Sequence, residues 1–280
     1  MDKLLLVDGS NLLFQMFFGM PARIVNSQGR AIQGTLGFTG ALLKLLRMVN
    51  PTHAAVFFDG EQASPRAGLD PAYKANRPDF TAVPEEENPY SQLPDIFSAL
   101  KALSMPYWET VGCETDDLIA SYALTLGKSM KLVVSSFDSD FFQLITENVS
   151  VLRYRGVKST VCTPQTIQEQ LGISPGQYAD FKSLVGDRSD NLKGAKGVGK
   201  VTAAALLKQF GTLERLLEHP EQIEKPAVRE TILQNTDRLR RNYRLIKLGN
   251  TVPLPFPLEE MRFTDLGMTT TEVLKTIGLR

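Results

Sequence analysis

The first hydrophobic run, residues 4–7 (Leu-Leu-Leu-Val), stops abruptly at Asp8-Gly9. A short, continuous apolar run closed by a turn signal predicts a strand buried on both faces. The pattern recurs at 54–58, which ends in Asp59-Gly60, and at 131–135, which leads into Phe137-Asp138-Ser139-Asp140. Between these runs the spacing becomes helical, over 34–48, 93–103 and 115–126. Segments 149–154 and 159–161 read as further strands. Apolar strands alternating with helices predict a mostly parallel sheet with helices on both faces.

After residue 163 strand signals nearly vanish, and 164–171, 176–185, 200–210, 213–217 and 227–247 all favour helix. The organisation predicted is an α/β unit over 1–163 followed by an all-helical unit over 164–280. A stretch rich in proline and charge, 61–92, separates the second strand from the helix at 93. It is too long for an ordinary connection and is expected to be functional.

Composition removes several classes. With 280 residues, 42% hydrophobic and 22% charged, the chain is neither collagen-like nor disordered. The charges balance at 31 of each sign, which at first argues against a nucleic-acid binder. The sum hides a segregation, because residues 193–247 hold twelve Lys/Arg against six Asp/Glu. Cys113, Cys162, His53 and His219 form no zinc-ligand cluster. The first apolar run is too short for a signal peptide, and no stretch approaches the ~18 apolar residues of a membrane span. The expectation is a cytoplasmic protein with no membrane partner.

The chemistry lies in the acids. In open parallel sheets ligands bind outside the carboxyl ends of the strands, where the pattern delivers Asp8, Asp59, Asp138 and Asp140. Glu114, Asp116 and Asp117 open the helix at 115, more acids than one cap requires. Asp187 and Asp190 lie in Gly186-Asp187-Arg188-Ser189-Asp190-Asn191. Nine carboxylates sharing a crevice would repel one another unless cations neutralise them. Oxygen ligands without Cys or His select hard cations, Mg²⁺ or Mn²⁺. Two such ions ~3.5–4 Å apart are the usual device for phosphodiester cleavage. Asp117 and Asp138 have the stronger claim to a structural alternative.

Gly194-Ala195-Lys196-Gly197-Val198-Gly199-Lys200 has the spacing of a P-loop, but Val201 stands where a Ser/Thr would hold Mg²⁺, and a helical region rather than a strand is expected before it. The alternative is a helix–loop–helix whose backbone N–H groups, with Lys196 and Lys200, hold a DNA phosphate without reading bases.

Val7-Asp8-Gly9, Phe58-Asp59-Gly60, Tyr73-Lys74-Ala75-Asn76-Arg77-Pro78, Gly112-Cys113-Glu114-Thr115-Asp116-Asp117, Phe137-Asp138-Ser139-Asp140, Gly186 to Asn191 and Gly194 to Gly199 occur in that order. From Leu4 to about Leu248 the set resembles the bacterial and phage 5′-nucleases. These belong to the flap endonuclease superfamily, which includes the N-terminal domain of bacterial DNA polymerase I. The resemblance implies a PIN-like α/β core, a helical arch over about 61–92 and a helix-three-turn-helix region. The last contains a helix-hairpin-helix-like motif at about 184–212.

It also implies roles. Asp8, Asp59, Glu114 and Asp116 would surround a first metal. Asp138, Asp140, Asp187 and Asp190 would surround a second, with Asp116 or Asp117 near both. Lys74, Arg77 and Asp116 would be catalytic, Lys74 clamping the scissile phosphate. Arg66, Tyr73, Lys74, Arg77, Lys196, Gly197, Gly199, Lys200 and Thr202 would contact DNA, Tyr73 by stacking a base. The loop around Val198 would bind K⁺. The activity implied is a 5′-3′ exonuclease or flap endonuclease acting on branched or nicked DNA in replication and repair. It would be a stand-alone monomer with a polymerase and a ligase as functional neighbours. Two alternatives stay open: a junction-binding module with weak catalysis, and a PIN-type ribonuclease. The acidic Glu85-Glu86-Glu87-Asn88-Pro89 in the arch departs from the family pattern and bears on how strongly single-stranded DNA is gripped.

Overall fold

The computed structural model describes residues 2–20, 22–60, 65–80, 83–249 and 252–279. Its central strand, β1 (Lys3–Asp8), is flanked in parallel by β2 (His53–Phe58) and β4 (Lys131–Ser135). β3 (Tyr107–Glu109) extends one side and β5 (Val149–Arg153) the other, while β6 (Thr160–Cys162) adds an antiparallel edge. The resulting order is β3-β2-β1-β4-β5-β6. Side chains alternate between the two faces, as the period of two requires. Leu5, Val7, Ala54, Val56 and Phe58 pack beneath α1 (Gly9–Gly19), α2 (Gln33–Val49) and α3 (Leu93–Ala102). Leu4, Leu6, Ala55 and Phe57 face α4 (Thr115–Leu126), in a core that continues into the helical half.

That half consists of α5 (Pro164–Leu171), α6 (Tyr178–Val185), a hairpin of β7 (Gly186–Asp187) and β8 (Leu192–Lys193), α7 (Lys200–Phe210) and α8 (Leu213–Glu218). The helix expected over 227–247 is instead two helices, α9 (Pro226–Gln234) and α10 (Thr236–Ile246). They break at Asn235, whose Nδ2 turns back to donate to Thr231 O at 2.7 Å. Such local side-chain bonding competes with helix continuation.

Helix α1 has no counterpart in the pattern reading, because its apolar residues are too dense to show a face. It begins without a connecting loop, Asp8 serving as its N-cap. Residues 61–64 and 81–82 of the expected arch lie outside the described residues. The remainder contains one-turn 3₁₀ helices at Pro65–Gly68, Glu85–Glu87 and Pro89–Gln92, and no α-helix among the described residues.

Residues 252–279 return to the first half of the molecule. Phe263 N donates to Thr52 O at 2.9 Å beside a bridge between His53 and Arg262. The short helix α11 (Thr270–Thr276) inserts Val273 into the core under α2. Among the described residues no helix is long and apolar enough to cross a membrane.

Candidate active site

Every parallel strand that carries an acid points it to the same end of the sheet. Asp8, Asp59, Glu114, Asp116 and Asp138 line one cavity of about 450 Å³ together with Lys74. Asp8 accepts from Asn11 N at 3.0 Å and from Ser136 Oγ at 2.7 Å. Asp59 Oδ1 accepts from Thr115 N at 3.0 Å, which ties the end of β2 to the first turn of α4. Gly60 follows because a Cβ there would lie 1.9 Å from Thr110 O. Asp138 caps the 3₁₀ turn Ser139–Leu144, accepting from Asp140 N at 2.8 Å.

Two segments bring basic groups to this wall. Lys74 lies in the turn 71–76 with φ of +58°, a conformation costly for a residue with a Cβ. Its N–H donates to Asp190 O at 3.1 Å, and Asn191 Nδ2 and Asn76 Nδ2 tie the two loops together at 2.9 and 3.0 Å. Lys74 Nζ then reaches Glu114 Oε2 at 2.7 Å. Arg77 pairs with Asp190 at 2.9 Å.

The electrostatics record crowding. Burial, reinforced by Asp59, pushes Asp8 up to about 7, against its hydrogen bonds from Asn11 and Ser136. Burial and then Asp138 drive Asp116 well above the ordinary carboxylate range, although Lys74 pulls it back. Burial disfavours the Lys74 ammonium, but Asp116, Tyr73 and Glu114 outweigh that and raise its pKa.

The nine acids are not gathered in one group. Asp140 and Asp187 clamp the buried ammonium of Lys182, and Asp117 binds Arg66. Among the described residues no three carboxylates stand close enough to share an ion as the side chains lie. Internal cations draw part of the set aside, Lys182 toward Asp140 and Asp187, and Arg66 toward Asp117 and Glu114. Arg66 is only 8% exposed and bonds Glu114 at 2.8 Å, so it is a buried counter-charge rather than a surface contact. Tyr73 is likewise buried, packed with Ala179, Leu192, Leu245 and Ile246, with no free face for a base. Lys196, Gly197, Gly199 and Lys200 are exposed on the turn that opens α7, Thr202 is half-buried, and Val198 is buried. Gly186 is required beside this turn, because at φ of +85° a Cβ would sit 2.5 Å from Gly194 N.

Sequence reasoning missed Lys182, whose only signal is a charged residue among the apolar positions of α6. It also missed Ser136 and Asn11, and the aromatic flank of Phe14, Phe80 and Tyr90. Phe14 stacks edge-on against both others at 5.4 and 5.3 Å. The donor set nonetheless fits a hard divalent cation, with five cavity carboxylates, no imidazole in the lining, and Asp8 and Asp116 pushed up by burial and neighbouring acids.

A parallel sheet that delivers acids and a lysine to one cavity is suited to hold a divalent cation against a phosphate. The profile of the 5′-3′ exonuclease N-terminal, resolvase-like domain matches residues 3–172, and that of the 5′-3′ exonuclease C-terminal SAM fold matches residues 173–268. The chain belongs to the 5′-3′ exonuclease family. It is 37% identical over 268 residues to DNA polymerase I of Rhizobium leguminosarum, covering 93% of this chain and 26% of that one. With the thermostable DNA polymerase I of Thermus thermophilus it shares 34% over 264 residues, 94% and 31% of the two chains. It therefore spans about a quarter to a third of the curated relatives it matches. The fold superposes on the bacteriophage T5 5′-exonuclease with zinc ions bound, with a TM-score of 0.72 and 21% identity over 87% of this chain and 89% of that one. A T5 flap endonuclease in complex with DNA and metal ions gives 0.72 and 22%, over 87% and 88%.

Proposed function

We propose that this chain is a structure-specific, divalent-metal-dependent nuclease that removes 5′ flaps or 5′-terminal nucleotides from branched or nicked duplex DNA during replication and repair. The observation that carries this reading is the convergence of Asp8, Asp59, Glu114, Asp116 and Asp138 with Lys74 and Arg77 in one cavity. The metal ions and DNA held by the T5 neighbours support it.

Asp8, Asp59, Glu114 and Asp116 would hold one Mg²⁺ or Mn²⁺, and Asp138, Asp140, Asp187 and Asp190 would serve a second ion, with Asp116 or Asp117 near both. Bound metal would lower the pKa of the attacking water and stabilise the leaving oxygen. The chain's own groups supply the rest. Lys74, already charged and held at the cavity, is placed to clamp the scissile phosphate. Arg77, half-exposed beside it, orients the strand. Lys196 and Lys200 with the turn N–H groups hold the duplex backbone, with K⁺ near Val198. The reading divides the chain into a catalytic unit over 1–163 and a DNA-binding unit over 164–280, which the neighbouring profile boundary at 172/173 supports. It takes the protein to be a cytoplasmic monomer working beside a polymerase and a ligase.

The test is cleavage of a 5′-flap substrate in Mg²⁺ by the wild type, Asp116→Asn and Lys74→Ala, with an RNA flap run alongside. Cleavage of the DNA flap that is lost in both variants is expected. Equal activity in all three proteins refutes the site. Flap binding without turnover in Mg²⁺ or Mn²⁺ refutes the enzyme, and preference for the RNA flap refutes the substrate.

A further inference from the structure

A second cavity, about 440 Å³, lies away from the acids, between α6, the start of α8 and α10. Its lining includes Arg240, Arg244, Tyr243, Thr212 and Glu214. Arg240, Arg244 and Lys247 are spaced i, i+4, i+7 and so share one stripe of α10 and its C-terminal boundary. Arg241 lies on the adjoining flank. The helix buries Leu239, Asn242, Leu245 and Ile246 on the opposite side, so this basic stripe is its outward face.

What α10 touches gives the stripe its meaning. Arg238 donates to Gly194 O at 3.1 Å and Asn242 to Lys193 O at 3.0 Å, pinning the helix to the stem of the Lys196–Lys200 turn. Arg241 pairs with Asp70 at 3.1 Å, four residues before Lys74. One helix thus bridges the proposed duplex-holding turn and the segment that carries the phosphate clamp.

We propose that the α10 stripe and its cavity form a second phosphodiester-binding track, on which Arg240, Arg241 and Arg244 hold the backbone of the duplex between the turn and the active cavity. This rests on the DNA-nuclease reading above. Without DNA the track is occupied internally, Arg240 by Glu214 at 2.7 Å and Arg241 by Asp70. A backbone phosphate exchanges with those carboxylates, so the two acids oppose binding as the arginines favour it. Such a contact positions the duplex without reading its sequence.

The opposition in sign gives the test. Equilibrium binding of a 5′-flap duplex is measured by fluorescence anisotropy in EDTA over a salt series. The proteins are wild type, Arg240→Gln/Arg244→Gln, Glu214→Gln and Asp70→Asn, each checked for unchanged thermal unfolding. Loss of two phosphate contacts should lower the slope of log affinity against log salt by ~1.8 in the double variant. Glu214→Gln and Asp70→Asn should each tighten binding by ~1.4- to 5-fold, the worth of an exposed ion pair. An unchanged slope in the double variant, or weaker binding in Glu214→Gln, overturns the track. Failure of the wild type to cut flaps would overturn the activity instead, and the two failures are separately visible.

Discussion

Asp8→Asn should make the metal-free protein more stable while abolishing cleavage. Asp8 is 5% exposed, and burial beside Asp59 raises its pKa from the ordinary 3.8 to about 7. At ~1.4 kcal/mol per pH unit, keeping this group ionised in the fold costs up to ~4 kcal/mol. Asparagine removes the charge, keeps Oδ1 to accept from Asn11 N, and puts an Nδ2 where it can donate to Ser136 Oγ. The sign follows from linkage. Below 3.8 the group is protonated in both states and the variant gains nothing. Between 3.8 and about 7 the unfolded chain ionises Asp8 while the folded chain holds its proton, so the wild type loses stability as pH rises. Above about 7 the whole cost is present. Thermal unfolding in EDTA at several pH values should therefore show a gap in favour of Asp8→Asn that widens with pH. It should level off at roughly 8 °C, taking ~2 °C per kcal/mol for a chain of this size. Millimolar Mg²⁺ should stabilise the wild type and narrow the gap, because a bound cation favours the state that holds it. A variant less stable than wild type at pH 8 in EDTA, or a gap that ignores pH, would refute the reasoning.

Other substitutions probe the surroundings. Lys74→Ala should lower the single-turnover cleavage rate by ~10²–10³-fold, as loss of an electrostatic stabiliser does, with a readout in quench-flow. Arg66→Ala should destabilise the fold by ~3–5 kcal/mol, because Glu114 and Asp117 lose a buried partner, and Arg66→Lys should recover part of the loss in urea titration. Asn242→Leu should cost ~1–3 kcal/mol by stranding Ser183 O and Lys193 O, with faster amide exchange in the hairpin stem as the check.

The core strands and most helices were legible because doubly buried strands leave continuous apolar runs, three of them running into an acid; the three-residue edge strand β3 is too short to leave such a run. Helix α1 was not, because Leu12, Leu13, Phe14, Met16, Phe17 and Phe18 supply apolar surface all round, and periodicity cannot show a face where nearly every position is apolar. The break at Asn235 depends on one side-chain bond to Thr231, which spacing does not encode. In the site, acids at strand ends were visible from topology alone. Their separation was not, because it depends on where long side chains fold back. Arg66 reads from the sequence as one charge in a long polar connection, yet it ends between Glu114 and Asp117. Lys182 sits in an apolar helix face and gives no sign that it answers Asp140, which is 42 residues away.

The return of residues 252–279 has a consequence for biogenesis. The sheet is specified by residues made early, yet β2 receives Phe263 and Arg262, and the core under α2 receives Val273, from residues made more than 200 positions later. During synthesis the first half waits with that flank open, exposing apolar surface of α2 to other chains or to chaperones. Closure of this outer flank of the sheet is thus timed by the arrival of a segment that lines no part of the acidic cavity.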